Sequence, residues 1–134
     1  MSLAHQAKRA YGAVMTTFVS HRDRAWHQIS PGVETCHLRS HDNHGLTLLF
    51  RMAAGADAPL HHHPGGEETY ILSGKLRIGD HQLGAGDYIW TPPGVSHDAH
   101  ADEESVFFVV VPSGLRVVTA EDRGSASAST AGPA

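Results

Sequence analysis

The stretch from Gly55 to Gly74, GADAPLHHHPGGEETYILSG, decides how this chain is read. On a β-strand, residues two apart face the same side. His61 and His63 therefore point together and His62 points away. A Pro64-Gly65-Gly66 turn follows, and Glu67 opens the next strand, Glu67-Thr69-Ile71, with Glu68 turned to its opposite face. Two imidazoles and a carboxylate could close on one ion. A His-x-His pair alone equally describes a polar surface loop, so the surrounding sequence has to decide.

That surrounding sequence reads as β from about residue 24 to 119. In GLTLLFRMAAG, Leu46, Leu48, Phe50 and Met52 alternate with Thr47, Leu49 and Arg51, a period of two. ETYILSG is a strand that stops at Gly74, and KLRIGDHQL places Gly79-Asp80 between two short strands, a hairpin signal. GDYIWTPPG is a strand halted by prolines, which cannot donate to a ladder. SVFFVVV, residues 105–111, is a continuous apolar strand closed by Pro112, and LRVVT suits a last one. Many short strands with Gly/Pro turns and little helical periodicity predict an all-β sandwich or barrel.

Outside this region the pattern changes. Residues 4–18 carry Ala4, Ala7, Tyr11, Val14, Met15 and Phe18 at helix-like spacing, weakened by Gly12 and β-branched residues. They fit an N-terminal arm, 1–25, formed as a short helix or an edge strand. The segment 120–134 is small, polar and Gly/Ser/Ala-rich, the composition of a disordered tail.

Composition narrows the function. The chain has 134 residues, which suits a single domain able to bury its own core. A formal net charge of −4 argues against a nucleic-acid partner. No run of about 18 apolar residues is present to span a membrane. The first residues lack the apolar centre of a secretory signal, so a cytoplasmic location is expected. The single cysteine, Cys36, belongs to no Cys-x-x-Cys pair and reads as a small buried hydrophobe. Histidine is the outlier with 12 copies, of which His5, His21, His27, His37, His41, His44, His81 and His100 share no spacing.

His97 is a fourth candidate ligand. Pro92-Pro93-Gly94 ends one strand and turns the chain back, so a barrel could bring His97 beside His61, His63 and Glu67. Imidazole plus carboxylate suits one divalent ion of iron, manganese, zinc, nickel or copper. An ion that prefers six ligands would keep two positions open for substrate or oxygen. Four-coordinate zinc could instead be closed and structural.

These residues resemble the two sequence motifs of the cupin superfamily. The first motif is glycine, five residues, His-x-His, three or four residues, Glu, six residues, glycine; here it reads Gly55, ADAPL, His61-His62-His63, PGG, Glu67, ETYILS, Gly74. The second is glycine, five residues, Pro-x-Gly, two residues, His, three residues, Asn; here it reads Gly86, DYIWT, Pro92-Pro93-Gly94, VS, His97, DAH, Ala101. Only the final asparagine departs, and it is not a metal ligand in cupins. The resemblance spans about 26–119 and implies a double-stranded β-helix, the jelly-roll barrel, with His61, His63, Glu67 and His97 as ligands.

Together with the upstream WHQISPGVETCHL, the motifs are similar to the ChrR-like cupins and to small cupin dioxygenases that cleave carbon–carbon bonds beside carbonyl groups. The ChrR-like group includes the zinc-binding C-terminal half of anti-sigma factors. Those proteins carry a helical zinc-binding domain with a Cys-x-x-Cys ahead of the cupin, a motif lacking in this sequence. The resemblance thus implies the sensing or catalytic half. It leaves two functions open: a mononuclear metal-dependent dioxygenase or oxidoreductase for a small carbonyl- or enol-containing substrate, with Glu67 as a candidate base, and a non-catalytic metal- or ligand-sensing module. Phe50, Tyr70, Trp90 and Phe108 are candidate pocket residues, Tyr70 against the alternation that turns it away from Glu67. Outward apolar side chains such as Leu49, with the arm 1–25, predict a homodimer.

Overall fold

The computed structural model describes residues 15–114 and 116–117. The expected tail, 120–134, and most of the expected arm lie outside the described residues. Of the arm, Met15–Ser20 carry no regular structure and His21–Asp23 form one 3-10 turn. Among the described residues there is no α-helix, and no helix long and apolar enough to cross a membrane.

Among the described residues, eleven strands make two antiparallel sheets. In chain order they are β1 His27–Ser30, β2 Val33–Ser40, β3 Leu46–Met52, β4 Asp57–His62, β5 Glu67–Ser73, β6 Lys75–Ile78, β7 His81–Gly84, β8 Tyr88–Thr91, β9 His97–Ala101, β10 Ser105–Val111 and β11 Arg116–Val117. One sheet has the order β1-β2-β3-β10-β5-β8 and the other β11-β4-β9-β6-β7. Their inner faces enclose the core of Val33, Met52, Ile71, Leu76, Ile78, Leu83, Phe107, Val109 and Val111. This is the all-β jelly-roll barrel that the strand pattern and motifs imply.

β10 explains the apolar run SVFFVVV. It lies between β3 and β5 and pairs with both. Its inward residues Ser105, Phe107, Val109 and Val111 are buried, and the alternate Val106, Phe108 and Val110 are half-buried. A strand partly covered on both faces gains from apolar side chains at every position.

The turns are local and legible. β6 and β7 form the hairpin predicted from Gly79-Asp80: Ile78 pairs with His81, and Gly79 takes a positive φ of 55°. Gly74 ends β5 at φ 93°, where a Cβ would fall 2.3 Å from the Glu104 carbonyl oxygen. Only glycine satisfies both constraints.

Two expectations about side-chain placement fare differently. Cys36 is buried, as its composition class suggests. Leu49 is not available to a twin subunit, because it is only 3% exposed. It lies in register between Cys36 and Phe108, on the outer face of the six-stranded sheet. That face is itself covered near β2 and β3. Farther along it, Arg51 donates two hydrogen bonds of 3.1 Å to Glu34 while its guanidinium lies 4.2 Å above the Trp26 ring.

Candidate metal centre

His61, His63, Glu67 and His97 converge inside the barrel, with one potential ligand atom from each lying within 4.8 Å of all the others. The histidines come from β4, the residue just beyond it, and β9, all of the five-stranded sheet. Glu67 comes from β5 of the opposing sheet. The cluster therefore joins the two sheets, and an ion bound there would cross-link them.

A β-bulge aims His61 inward. Ala58 pairs with Ala99, but His61 pairs with His97, so β4 uses one residue more than β9 between the two pairs. Strict alternation from the inward Ala58 would turn His61 outward. The extra residue falls at Pro59-Leu60 and reverses the parity. Proline suits such a site because it has no N–H to withhold from the ladder, and bulges re-aim side chains. The Pro59 carbonyl then accepts a 2.7 Å hydrogen bond from His61 Nδ1.

Each candidate ligand has a polar neighbour that orients it. His63 Nδ1 donates to the Gly114 carbonyl at 3.3 Å. His97 Nδ1 lies 3.4 Å from the Thr91 hydroxyl. The buried Thr69 hydroxyl donates to Glu67 Oε1 at 3.1 Å. With Nδ1 of His61 and His63 protonated toward carbonyls, their Nε2 lone pairs are free for an ion, the tautomer that outer hydrogen bonds select in metal sites.

The spacing fits coordination. His63 Nε2 is 2.8 Å from Glu67 Oε2, His97 Nε2 is 3.1 Å from His61 Nε2, and His97 Nε2 is 3.5 Å from Glu67 Oε1. Metal–ligand bonds of about 2.1 Å place neighbouring donor atoms about 3 Å apart. His63 Nε2 is fully buried, and the Glu67 carboxylate is the polar group it faces.

The electrostatics agree. Burial is the largest influence on His97 and holds its pKa down to about 4; burial likewise lowers that of His61. Both rings are therefore neutral near pH 7. Burial opposes ionisation of Glu67, but the adjacent His63 and then His97 and His61 outweigh it, so its carboxyl ionises below the usual range. Two neutral imidazoles beside a carboxylate offer the protonation states a divalent ion requires.

A cavity of about 30 Å³ adjoins the cluster, lined by His61, Glu67, His97, Phe50, Met52, Ala58, Ile78, Ala99 and Phe107. Of the four candidate pocket residues, Phe50 is among those lining this cavity. Tyr70, Trp90 and Phe108 do not line the cavity. Tyr70 and Trp90 are 44% and 45% exposed on the outer face of the six-stranded sheet, in register with Phe108 and Glu68 respectively. Phe107, missed in the sequence, takes the inward position and stacks on Phe50 at 5.2 Å with only 8° between the rings. In a run of uninterrupted apolar residues no polar alternation marks which phenylalanine faces in. The two other members of HHHPGGEE turn away from the cluster. Glu68 accepts a 2.9 Å hydrogen bond from Tyr88, and His62 is half-buried outside it.

The sequence profile described as the ChrR Cupin-like domain matches residues 14–114. The chain belongs to this family. No curated protein matches it by sequence. Among solved structures, this cupin is similar to an RmlC-like cupin from Ralstonia eutropha JMP134, with a TM-score of 0.72 at 21% identity over 81% of this chain and 76% of that one. It is similar to an acetylacetone dioxygenase from Acinetobacter johnsonii, with a TM-score of 0.71 at 19% identity over 84% of this chain and 83% of that one. It also resembles a chain in the complex of SigE with the anti-sigma ChrR from Rhodobacter sphaeroides, with a TM-score of 0.62 at 23% identity over 69% of this chain and 50% of that one. At these identities the likeness establishes the fold, and function has to be argued from the site.

Proposed function

We propose that this cupin is a mononuclear metal-dependent dioxygenase or related oxidoreductase acting on a small carbonyl- or enol-containing substrate. One observation carries the reading: a convergent His61-His63-Glu67-His97 set opens onto a cavity whose other lining residues are apolar. A closed structural ion needs no such cavity. His61, His63, Glu67 and His97 would hold one divalent ion of iron, manganese, zinc, nickel or copper. When bound, that ion supplies Lewis acidity and a template for oxygen ligands. The chain's own contribution is to exclude water with Phe50, Met52, Ile78 and Phe107 and to hold Glu67 ionised. Glu67 is the candidate base for removing a substrate proton.

Elemental analysis of the purified protein tests the site. Oxygen uptake with β-diketones, hydroxyacetophenones and flavonols, under iron(II), manganese or nickel loading, tests the activity. Turnover with at least one combination is expected. Tightly held zinc with no turnover on any of them overturns the enzyme reading.

Membership in the ChrR cupin-like family favours a second reading, a non-catalytic module that senses a metal or small ligand. It predicts ligand binding without oxygen consumption. A homodimer accompanies either reading, because Tyr70, Tyr88 and Trp90 leave an aromatic stretch exposed on the β5–β8 face. Light scattering showing only monomer at micromolar concentration overturns it.

A further inference from the structure

We propose that Trp90, outside the barrel, is a positioning residue for the metal centre: its indole fixes the Pro64-Gly65-Gly66 turn and, through it, the placement of Glu67 against His63. The inference rests on the metal-site reading above.

The turn is where the site crosses from one sheet to the other. β4 belongs to the five-stranded sheet and β5 to the six-stranded one, and the chain passes between them in this turn. His63 stands before the turn and Glu67 after it, with Nε2 and Oε2 2.8 Å apart. The Gly66 N–H donates to the His63 carbonyl at 3.0 Å and closes the turn. A turn displaced by about an ångström would carry one side chain away from the other, and sites of this kind need their geometry held to about half an ångström.

Both flanks of the turn are packed. A Cβ at Gly65 would fall 2.6 Å from Ser113 Oγ, and the next residue, Gly114, accepts the His63 Nδ1 hydrogen bond. A Cβ at Gly66 would fall 2.2 Å from Trp90 Cη2 and 2.8 Å from Cζ2. The far edge of the indole therefore lies directly against the Gly66 α-carbon, closer than a side chain there would allow. The strand that carries Trp90 is itself tied to the site. In the β5–β8 register Glu67 pairs with Thr91 and Glu68 with Trp90, and the Thr91 hydroxyl lies 3.4 Å from His97 Nδ1. Trp90 is nonetheless 45% exposed, so shortening it loosens the turn without opening a cavity in the core. Tyr70 makes a fitting comparison: it is 44% exposed on the same face and pairs with Tyr88, away from the turn.

Zinc affinity tests this, measured by competition with a chromophoric chelator on variants shown to be folded by circular dichroism. Trp90→Ala should weaken zinc binding at least about tenfold. Tyr70→Ala should leave it within about twofold, which a general loosening of the sheet would not. Gly66→Ala should weaken binding too, in part through strain of its own at a φ of 80°. The double variant isolates the contact: with the indole gone, Gly66→Ala should cost at least about threefold less than in the unaltered protein. Where Gly66→Ala does not fold, Gly66→Asn tolerates that φ better and meets the same ring; where Trp90→Ala does not fold, Trp90→Leu takes its place. Unchanged affinity in Trp90→Ala, equal losses in Trp90→Ala and Tyr70→Ala, or the same cost of Gly66→Ala in both backgrounds overturns the proposal. Failure to bind one zinc per chain, or full retention by His61→Ala, is read first; it overturns the metal site and with it this role.

Discussion

His97 and His100 lie three residues apart on β9, and each sits beside carboxylates, yet they belong to different chemistries. His97 faces the barrel interior, where its Nε2 converges with those of His61 and His63 and with the Glu67 carboxylate. His100 faces out. Its Nδ1 is 2.7 Å from Asp57 and its Nε2 is 3.7 Å from Asp102, so each ring nitrogen is turned to a different carboxylate. The inner group directs several side chains at one point; the outer group arranges two carboxylates around one histidine. Proximity of histidine to acid is common to both, and convergence separates them. Burial adds to the difference, since exposed ion pairs contribute little.

The contrast is broken most directly by deleting one histidine from each group. His97→Ala or His61→Ala should weaken metal binding by at least about a hundredfold, and His100→Ala should leave it within about twofold, by equilibrium dialysis with elemental analysis. Full metal retention by His97→Ala and His61→Ala would show that these four residues are not the site.

Acid should then act on the inner group first. His97 has a folded pKa of about 4, below the ordinary value of 6.5. The unfolded chain therefore binds a proton that the folded chain refuses, and stability is lost as pH falls from about 6.5 toward 4. The lowered His61 acts in the same direction, and the lowered Glu67 extends the loss to the acid end of the window. Metal-free protein should lose on the order of 1–3 kcal/mol between pH 7 and pH 4.5, measured by urea unfolding. A flat profile across this range would contradict the buried, neutral state of these rings.

A finer test concerns the hydroxyl that orients Glu67. Thr69→Val should cost about tenfold in metal affinity and Thr69→Ser should restore most of it, because only the serine keeps the hydrogen bond. The smallest effect is expected on the outer face. Tyr88→Phe removes an exposed hydrogen bond to Glu68 and should change stability by less than about 0.5 kcal/mol in thermal unfolding.

How much of this was legible depended on the range of the signal. The opposed directions of His63 and His62, and of Glu67 and Glu68, follow from strand parity alone, and the structure keeps them. The Gly79-Asp80 hairpin is equally local. His97 was a candidate from the Pro92-Pro93-Gly94 turn before it, and the second cupin motif singled it out among the other histidines. Of the candidate pocket residues, Phe50 lines the cavity beside the cluster. Trp90 and Tyr70 are aromatic residues near the motifs, but strand pairing sets them on the outer face beside Glu68 and Phe108. Leu49 shows the reverse: its parity is outward, and tertiary covering buries it.

The sequence by itself determined that the chain forms short antiparallel strands and that four spaced residues carry donors that fit a metal site, because alternation and turn chemistry act over a few residues. Tertiary structure alone decided that a bulge brings His61 to the same face as Ala58, that Phe107 rather than Phe108 lines the cavity, and that Glu67 comes from the opposing sheet. Those outcomes depend on the bulge at Pro59 and on register between strands far apart in the chain. They are fixed only when both sheets bury their inner faces together.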